Sequence, residues 1–151
     1  MILPAEFRLD QEADTRRLGA AIARALGPHE AICLTGPLGA GKSTLARGLI
    51  FALAPETDEA PSPSFTLVQT YAAHAFAVAH FDLYRIEGDG EIAELGLDEA
   101  LDDGAVVVEW AEKLGRHLPM DRLDVVLAID GEARRARLTP HGAWQERSLE
   151  F

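Results

Sequence analysis

A short glycine-rich stretch constrains the fold of this chain more than any other feature. GPLGAGKST occupies residues 36–44 and follows the pattern Gly, four residues, then Gly-Lys-Ser. An apolar run at residues 31–34 precedes it, and the helix-like sequence TLARGLIFALA follows it. Strand, loop and helix in this order are typical of a phosphate-binding loop. The glycines let backbone N–H groups point inward, and the helix directs the positive end of its dipole at the same place.

The residue types in this stretch predict how a nucleotide is held. Lys42 is expected to face solvent and to span the β- and γ-phosphates, and the Ser43 hydroxyl to bind Mg²⁺. Pro37 has no N–H, so the phosphate-binding amides are expected from residues 39–43. The predicted ligand is MgATP or MgGTP. The residues of the stretch predicted to line the site are Gly36, Pro37, Leu38, Gly39, Ala40, Gly41, Lys42, Ser43 and Thr44.

Length and composition predict one cytoplasmic domain over residues 1–151. A hydrophobic fraction of 48% in 151 residues is ample for a single core. No apolar run approaches the ~20 residues of a membrane-spanning helix, and the first residues are acidic where a signal peptide is basic. The only cysteine, Cys33, lies in the predicted strand before the loop, so neither a disulfide nor a cysteine metal cluster is expected.

The net charge argues against direct binding of DNA or RNA. The chain has 25 acidic and 14 basic residues, a formal charge of −11, which opposes a large contact with a phosphate backbone. Arginines cluster at residues 16–17 and 134–137, and the simplest interpretation of both clusters is a solvated surface.

The remaining pattern predicts alternating strands and helices. A helix capped by Asp10 is expected to end at Gly27, and FTLVQTY with AFAVAHFDLY is expected to form a hairpin. EIAELGLDEALDD predicts one acidic helix, and AVVVEW a buried strand. LDVVLAID, ARRARLTP and WQERSLEF predict antiparallel strands that close one side of the sheet.

Two carboxylates follow apolar strands of the predicted sheet. Asp82 ends AVAHF and Glu109 ends AVVV, and ligands of open α/β sheets bind at this carboxyl edge. Each alone is equally well explained as an ordinary strand-end residue, but together after a phosphate loop they favour a metal- or water-organising role. Ser64 and Thr66 are placed like the hydroxyls of nucleotide-hydrolase switch segments, although turn residues of this kind are usually structural.

The chain resembles the bacterial TsaE family of small ATPases in tRNA threonylcarbamoyladenosine synthesis. The resemblance rests on an ordered series, namely GPLGAGKST at 36–44, SPSFTLV at 62–68, HFDLYR at 80–85, ELGLDEAL at 94–101 and VVEW at 107–110. It implies a P-loop NTPase-like α/β fold, a three-layer sandwich with a mostly parallel central sheet and antiparallel additions. It also implies Mg²⁺-dependent ATP hydrolysis and association with the TsaB–TsaD complex, which modifies adenosine 37 of tRNAs that read ANN codons.

The resemblance also implies roles for particular residues. Lys42 matches the phosphate-binding lysine and Thr66 the switch-like threonine. Ser43 and Glu109 match metal-binding positions, and Asp82 matches an essential acid at the metal or the attacking water. Gln11 and Arg134 match regions around the adenine. This chain departs from the family's usual residues at three positions. It has Pro37 where family members often have Asp, and it has Ser43 and Ser64 where they often have Thr.

Three functions are compatible with these residues. The leading one is a slow ATPase whose hydrolysis resets a partner enzyme, with tRNA held by the partners. The second is a small-molecule kinase, which needs an acceptor pocket and usually an arginine-bearing lid that the acidic segment 87–103 fits poorly. The third is a nucleotide-dependent binding module without turnover.

Overall fold

The computed structural model describes residues 1–151 as one seven-stranded sheet with helices on both faces. The strands run β1-β7-β6-β2-β5-β4-β3 across the sheet. They are β1 (Ala5–Leu9), β2 (Ala31–Thr35), β3 (Val68–Ala72), β4 (Ala77–Asp82), β5 (Gly104–Glu109), β6 (Arg122–Asp130) and β7 (Ala133–His141). The helices are α1 (Glu12–Ala25), α2 (Lys42–Leu53), α3 (Asp89–Glu94) and α4 (Leu97–Asp103), with 3₁₀ helices at Ala111–His117 and Gly142–Glu146.

The four central strands are parallel. β2 pairs in parallel with β5 and with β6, and β4 pairs in parallel with β5. β3 and β7 are antiparallel to their neighbours, as is β1 at the far edge. The carboxyl ends of β2, β4 and β5 therefore meet at one edge of the sheet. This arrangement confirms the predicted α/β class with antiparallel additions.

Two apolar cores cover the two faces of the sheet. The larger contains α1 and α2, where Leu18 and Ile22 are fully buried as the four-residue spacing predicts. The smaller contains side chains of α3, α4 and the first 3₁₀ helix against β4 and β5. The two long helices pack closely because Gly48 leaves room: a Cβ there would lie 2.3 Å from the Arg16 carbonyl oxygen. None of the helices is long and apolar enough to cross a membrane.

Three sequence-based expectations differ from the structure. The cap of α1 is Gln11, which forms a reciprocal capping box with Asp14, rather than Asp10. The single acidic helix is two helices, because Gly96 adopts a left-handed φ of 80° between them. WQERSLEF is not a strand, since a 3₁₀ helix at Gly142–Glu146 buries Trp144 and only an isolated bridge joins Ser148 to Ile2.

Candidate nucleotide-binding site

The glycine-rich loop joins β2 to α2 with a backbone that only glycine adopts easily. Gly36 has φ of 144°, and a Cβ at this position would lie 2.4 Å from the Leu127 carbonyl oxygen. Gly41 has φ of 108° and immediately precedes Lys42, the first residue of α2. The loop therefore surrounds the N-terminus of α2, the arrangement expected of an anion-binding loop.

Lys42 is buried, which corrects the expectation that it faces solvent. The residue is only 5% exposed. Its Nζ donates hydrogen bonds to the carbonyl oxygens of Gly36 at 2.5 Å and Pro37 at 2.9 Å. It also lies 3.9 Å from the centre of the Trp110 ring, within range of a cation–π interaction. Burial lowers the pKa of Lys42, while the carboxylates of Glu109, Glu112 and Asp82 act in the opposite direction.

The two predicted carboxylates are direct neighbours. Asp82 and Glu109 are the last residues of β4 and β5, and they pair in register. Both are buried. The Ser43 hydroxyl donates to Glu109 Oε1 at 2.7 Å, which connects the start of α2 to the carboxyl end of β5. Lys42, Ser43, Asp82 and Glu109 therefore form one cluster, as the parallel strands predict.

Two further polar residues complete the cluster. Ser62 Oγ lies 2.7 Å from Asp82 Oδ2 and 3.0 Å from Glu109 Oε2. His80 Nε2 lies 2.6 Å from Glu109 Oε2. The backbone N–H of Tyr84 donates to Asp82 Oδ1 at 2.9 Å. Buried carboxylates need such donors, because an unpaired ionised group in the interior is very unfavourable.

The hydrogen bonds keep the Glu109 carboxyl ionised despite its burial. Burial alone raises the pKa of Glu109, but donation from His80, Ser43 and Ser62 outweighs it, and the pKa lies below its ordinary value. The site therefore presents a charged carboxylate next to the glycine-rich loop.

These residues open onto a cleft of about 280 Å³. Trp110 and Tyr84 form one side of it, with ring centres 5.0 Å apart, and Trp110 has a left-handed φ of 60° that is unusual for a bulky residue. Thr66 is exposed in a turn and does not line the cleft, whereas Ser64 does. The lining residues are Leu38, Gly39, Gly41, Lys42, Ser43, Thr44, Ser64, Asp82, Tyr84, Glu109 and Trp110.

Gln11 and Arg134 line a second groove on the other side of the loop. This groove, of about 290 Å³, shares Gly39, Gly41 and Thr44 with the first. Arg134 Nε donates to the Gly39 carbonyl oxygen at 3.1 Å. The two residues matched to the adenine surroundings thus lie beside the glycine-rich loop, and their role stays a prediction.

The structure brings in residues that sequence reasoning did not assign to the site. They are Ser62, His80 and Trp110. For His80 and Trp110 the local signal is proximity to Asp82 and Glu109 along the chain, and for Ser62 it is the first position of SPSFTLV. None of these signals indicates that Ser62, in the loop before β3, reaches two carboxylates.

The donor set fits Mg²⁺ carried by a nucleotide. The candidate metal-binding side chains near the loop offer hard oxygens, namely the hydroxyl of Ser43 and the carboxylates of Asp82 and Glu109. No group of three or more His, Cys, Asp or Glu side chains is arranged to hold a metal ion. Mg²⁺ in phosphate-transfer sites is typically held by one or two protein oxygens together with phosphates and water. The side chains of Ser43, Asp82 and Glu109 can supply those protein oxygens.

The fold and the loop geometry define an α/β protein with a P-loop-like architecture. A crystal structure of YdiB from Bacillus subtilis has the same fold, with a TM-score of 0.77 and 28% identity over 94% of this chain and 88% of YdiB. The family described as threonylcarbamoyl adenosine biosynthesis protein TsaE matches residues 9–137. The chain belongs to the TsaE family.

Relatives from distant bacteria support this membership. The TsaE protein of Rickettsia conorii is 38% identical over 127 residues, which are 83% of this chain and 73% of the relative. That of Aquifex aeolicus is 36% identical over 139 residues, 91% of this chain and 98% of the relative. Both carry the name tRNA threonylcarbamoyladenosine biosynthesis protein TsaE.

Proposed function

We propose that this protein is a Mg²⁺-dependent ATPase that serves threonylcarbamoyladenosine modification of tRNA. Membership of the TsaE family supports the pathway. The observation that carries the chemistry is the cluster in which the Ser43 hydroxyl reaches Glu109 while Lys42, the first residue of α2, lies beside it. A loop that binds phosphate, oxygens that hold the metal and a group that orients the attacking water are the recurring parts of nucleotide-hydrolysing sites, and these residues offer all three.

In this proposal each residue has a definite task. The loop amides and Lys42 bind the phosphates, and the Lys42 ammonium has a third N–H beyond the two that it donates to the carbonyl oxygens of Gly36 and Pro37. Ser43 and Glu109 hold the metal or its water, and Asp82 orients water next to them. Mg²⁺ neutralises phosphate charge when bound. Gln11 and Arg134 surround the base, which we take to be adenine.

We propose that the partners are the TsaB and TsaD proteins and that tRNA is held through them. A chain with a formal charge of −11 is poorly suited to hold a tRNA backbone itself. The modification chemistry then occurs on the partner complex, and ATP hydrolysis resets it. The same proposal places the protein in the cytoplasm, where tRNA is modified.

Reconstitution with purified TsaB, TsaD, tRNA, ATP and an activated threonylcarbamoyl donor tests this proposal. We expect multiple rounds of adenosine 37 modification only when this chain and ATP are both present, and phosphate release that rises when the TsaB–TsaD pair is added. Phosphorylation of an added metabolite would instead identify a small-molecule kinase. Nucleotide-dependent binding without any phosphate release would identify a binding module.

A further inference from the structure

His80 is a buried polar residue on β4, the strand next to the edge strand β3. It lies on β4 between Gln69 of β3 and Val107 of β5, and it is fully buried. Its Nε2 contacts Glu109 Oε2 at 2.6 Å, whereas its Nδ1 is buried without any hydrogen-bond partner. Leaving a buried polar atom without a hydrogen-bond partner is unfavourable. An apolar residue would avoid this cost, so packing alone does not account for a histidine here.

The contact with Glu109 fixes which nitrogen of His80 carries a proton. The Ser43 hydroxyl donates to Glu109 Oε1, and the single Ser62 proton can go to Asp82 Oδ2 at 2.7 Å or to Glu109 Oε2 at 3.0 Å. In either case His80 Nε2 lies 2.6 Å from Glu109 Oε2. Nε2 must therefore carry a proton, because an ionised carboxylate only accepts hydrogen bonds.

This bond fixes the direction of the Glu109 carboxylate. A glutamate side chain has three rotatable bonds, and its carboxylate turns freely unless both oxygens are held. With Oε2 bonded to His80, Oε1 points at Ser43, the hydroxyl at the start of α2. Removing the donor at Oε2 allows the carboxylate to rotate away from Ser43.

We propose that His80 is a positioning residue whose Nε2–H holds Glu109 Oε2 and thereby aims Oε1 at the metal position beside Ser43. This inference rests on the proposed Mg²⁺-nucleotide function. His80 does not touch the nucleotide in this scheme and acts only through Glu109. Outer-shell partners of metal ligands typically contribute about 10- to 100-fold in metal affinity, so a loss of this size is expected when the donor is removed.

Two substitutions of His80 separate positioning from packing. In His80→Gln the side-chain amide nitrogen can occupy the place of Nε2, whereas in His80→Asn it is too short and can only replace Nδ1. Both variants keep a polar side chain in the core. We expect the Mg²⁺ affinity of the ADP-loaded protein, measured by calorimetric titration, to fall about 10- to 100-fold in His80→Asn and to be largely restored in His80→Gln. ADP affinity without metal should be unchanged in both.

Nitrogen NMR of histidine-labelled wild-type protein provides a test that needs no variant. We expect His80 Nε2 to carry a proton in the nucleotide-free protein, and an unprotonated Nε2 would overturn the inference. Equal Mg²⁺ affinities in the wild type and both variants would also overturn it while leaving the proposed function intact. If wild-type protein gains no ADP affinity from Mg²⁺, both proposals are wrong.

Discussion

Replacing Lys42 by alanine should weaken nucleotide binding and also destabilise the folded protein. Lys42 donates hydrogen bonds to the Gly36 and Pro37 carbonyl oxygens at 2.5 Å and 2.9 Å and lies 3.9 Å from the Trp110 ring centre. Charged hydrogen bonds contribute about 1.5–3 kcal/mol and a cation–π contact about 0.5–2 kcal/mol. In the variant, water from the cleft can donate hydrogen bonds to the carbonyl oxygens that Lys42 leaves and so recover part of this energy. We therefore expect Lys42→Ala to lower the free energy of unfolding by about 1–3 kcal/mol.

The expected losses can be measured separately. For a chain of this length, that destabilisation lowers Tm by about 2–12 °C, which thermal unfolding followed by circular dichroism will detect. Loss of the ammonium contact to phosphate, worth about 1.5–3 kcal/mol, corresponds to roughly 10- to 100-fold weaker ADP binding by calorimetry.

Lys113→Ala is the matched control, because Lys113 is the only other lysine of the chain. Its Nζ also donates to two carbonyl oxygens, those of Tyr84 at 2.5 Å and Ile86 at 3.1 Å, but it does not line the cleft. We expect it to change ADP affinity by no more than about twofold. If Lys42→Ala keeps both the Tm and the ADP affinity of the wild type, or if Lys113→Ala loses as much ADP affinity, the reasoning is refuted.

Three further predictions concern other parts of the fold. Burial raises the pKa of the Cys33 thiol to about 12, so a thiol reagent should label Cys33 only after denaturation, and rapid labelling of folded protein would contradict its burial. Arg147 pairs with both oxygens of buried Glu30 at 2.5 Å, so Arg147→Met should destabilise the protein by about 3–5 kcal/mol in urea unfolding. The double variant with Glu30→Gln should recover most of that loss, and additive effects would disprove the coupling. Hydrogen bonds from Arg116 and His117 lower the pKa of Asp89 from 3.8 to about 2. The ionised Asp89 carboxylate therefore stabilises the folded protein fully above pH 3.8, and this contribution is lost as the pH falls through 2. An NMR titration midpoint of Asp89 near 3.8 would show that the contacts do not form.

Local sequence patterns were sufficient for the elements that carry the site. The apolar run before GPLGAGKST and the helix after it are β2 and α2 in the structure. The runs that end at Asp82 and Glu109 are β4 and β5. These predictions depend on neighbours along the chain, and on the rule that parallel strands end at one edge. Patterns were insufficient where a glycine interrupts a helix, as Gly96 does between α3 and α4. The helical spacing of apolar residues continues across this break, so the pattern alone predicts one helix.

The amino-acid sequence by itself determined the fold class, the glycine-rich loop between β2 and α2, and the strand ends that bear Asp82 and Glu109, because periodicity and glycine placement are local properties. Only the tertiary structure decided which groups meet. Ser43 reaches Glu109 across 66 residues of chain and His80 reaches it across 29, and Trp110 covers Lys42. A polar side chain is stable in the interior only when a partner from another segment satisfies it, and no local pattern names that partner.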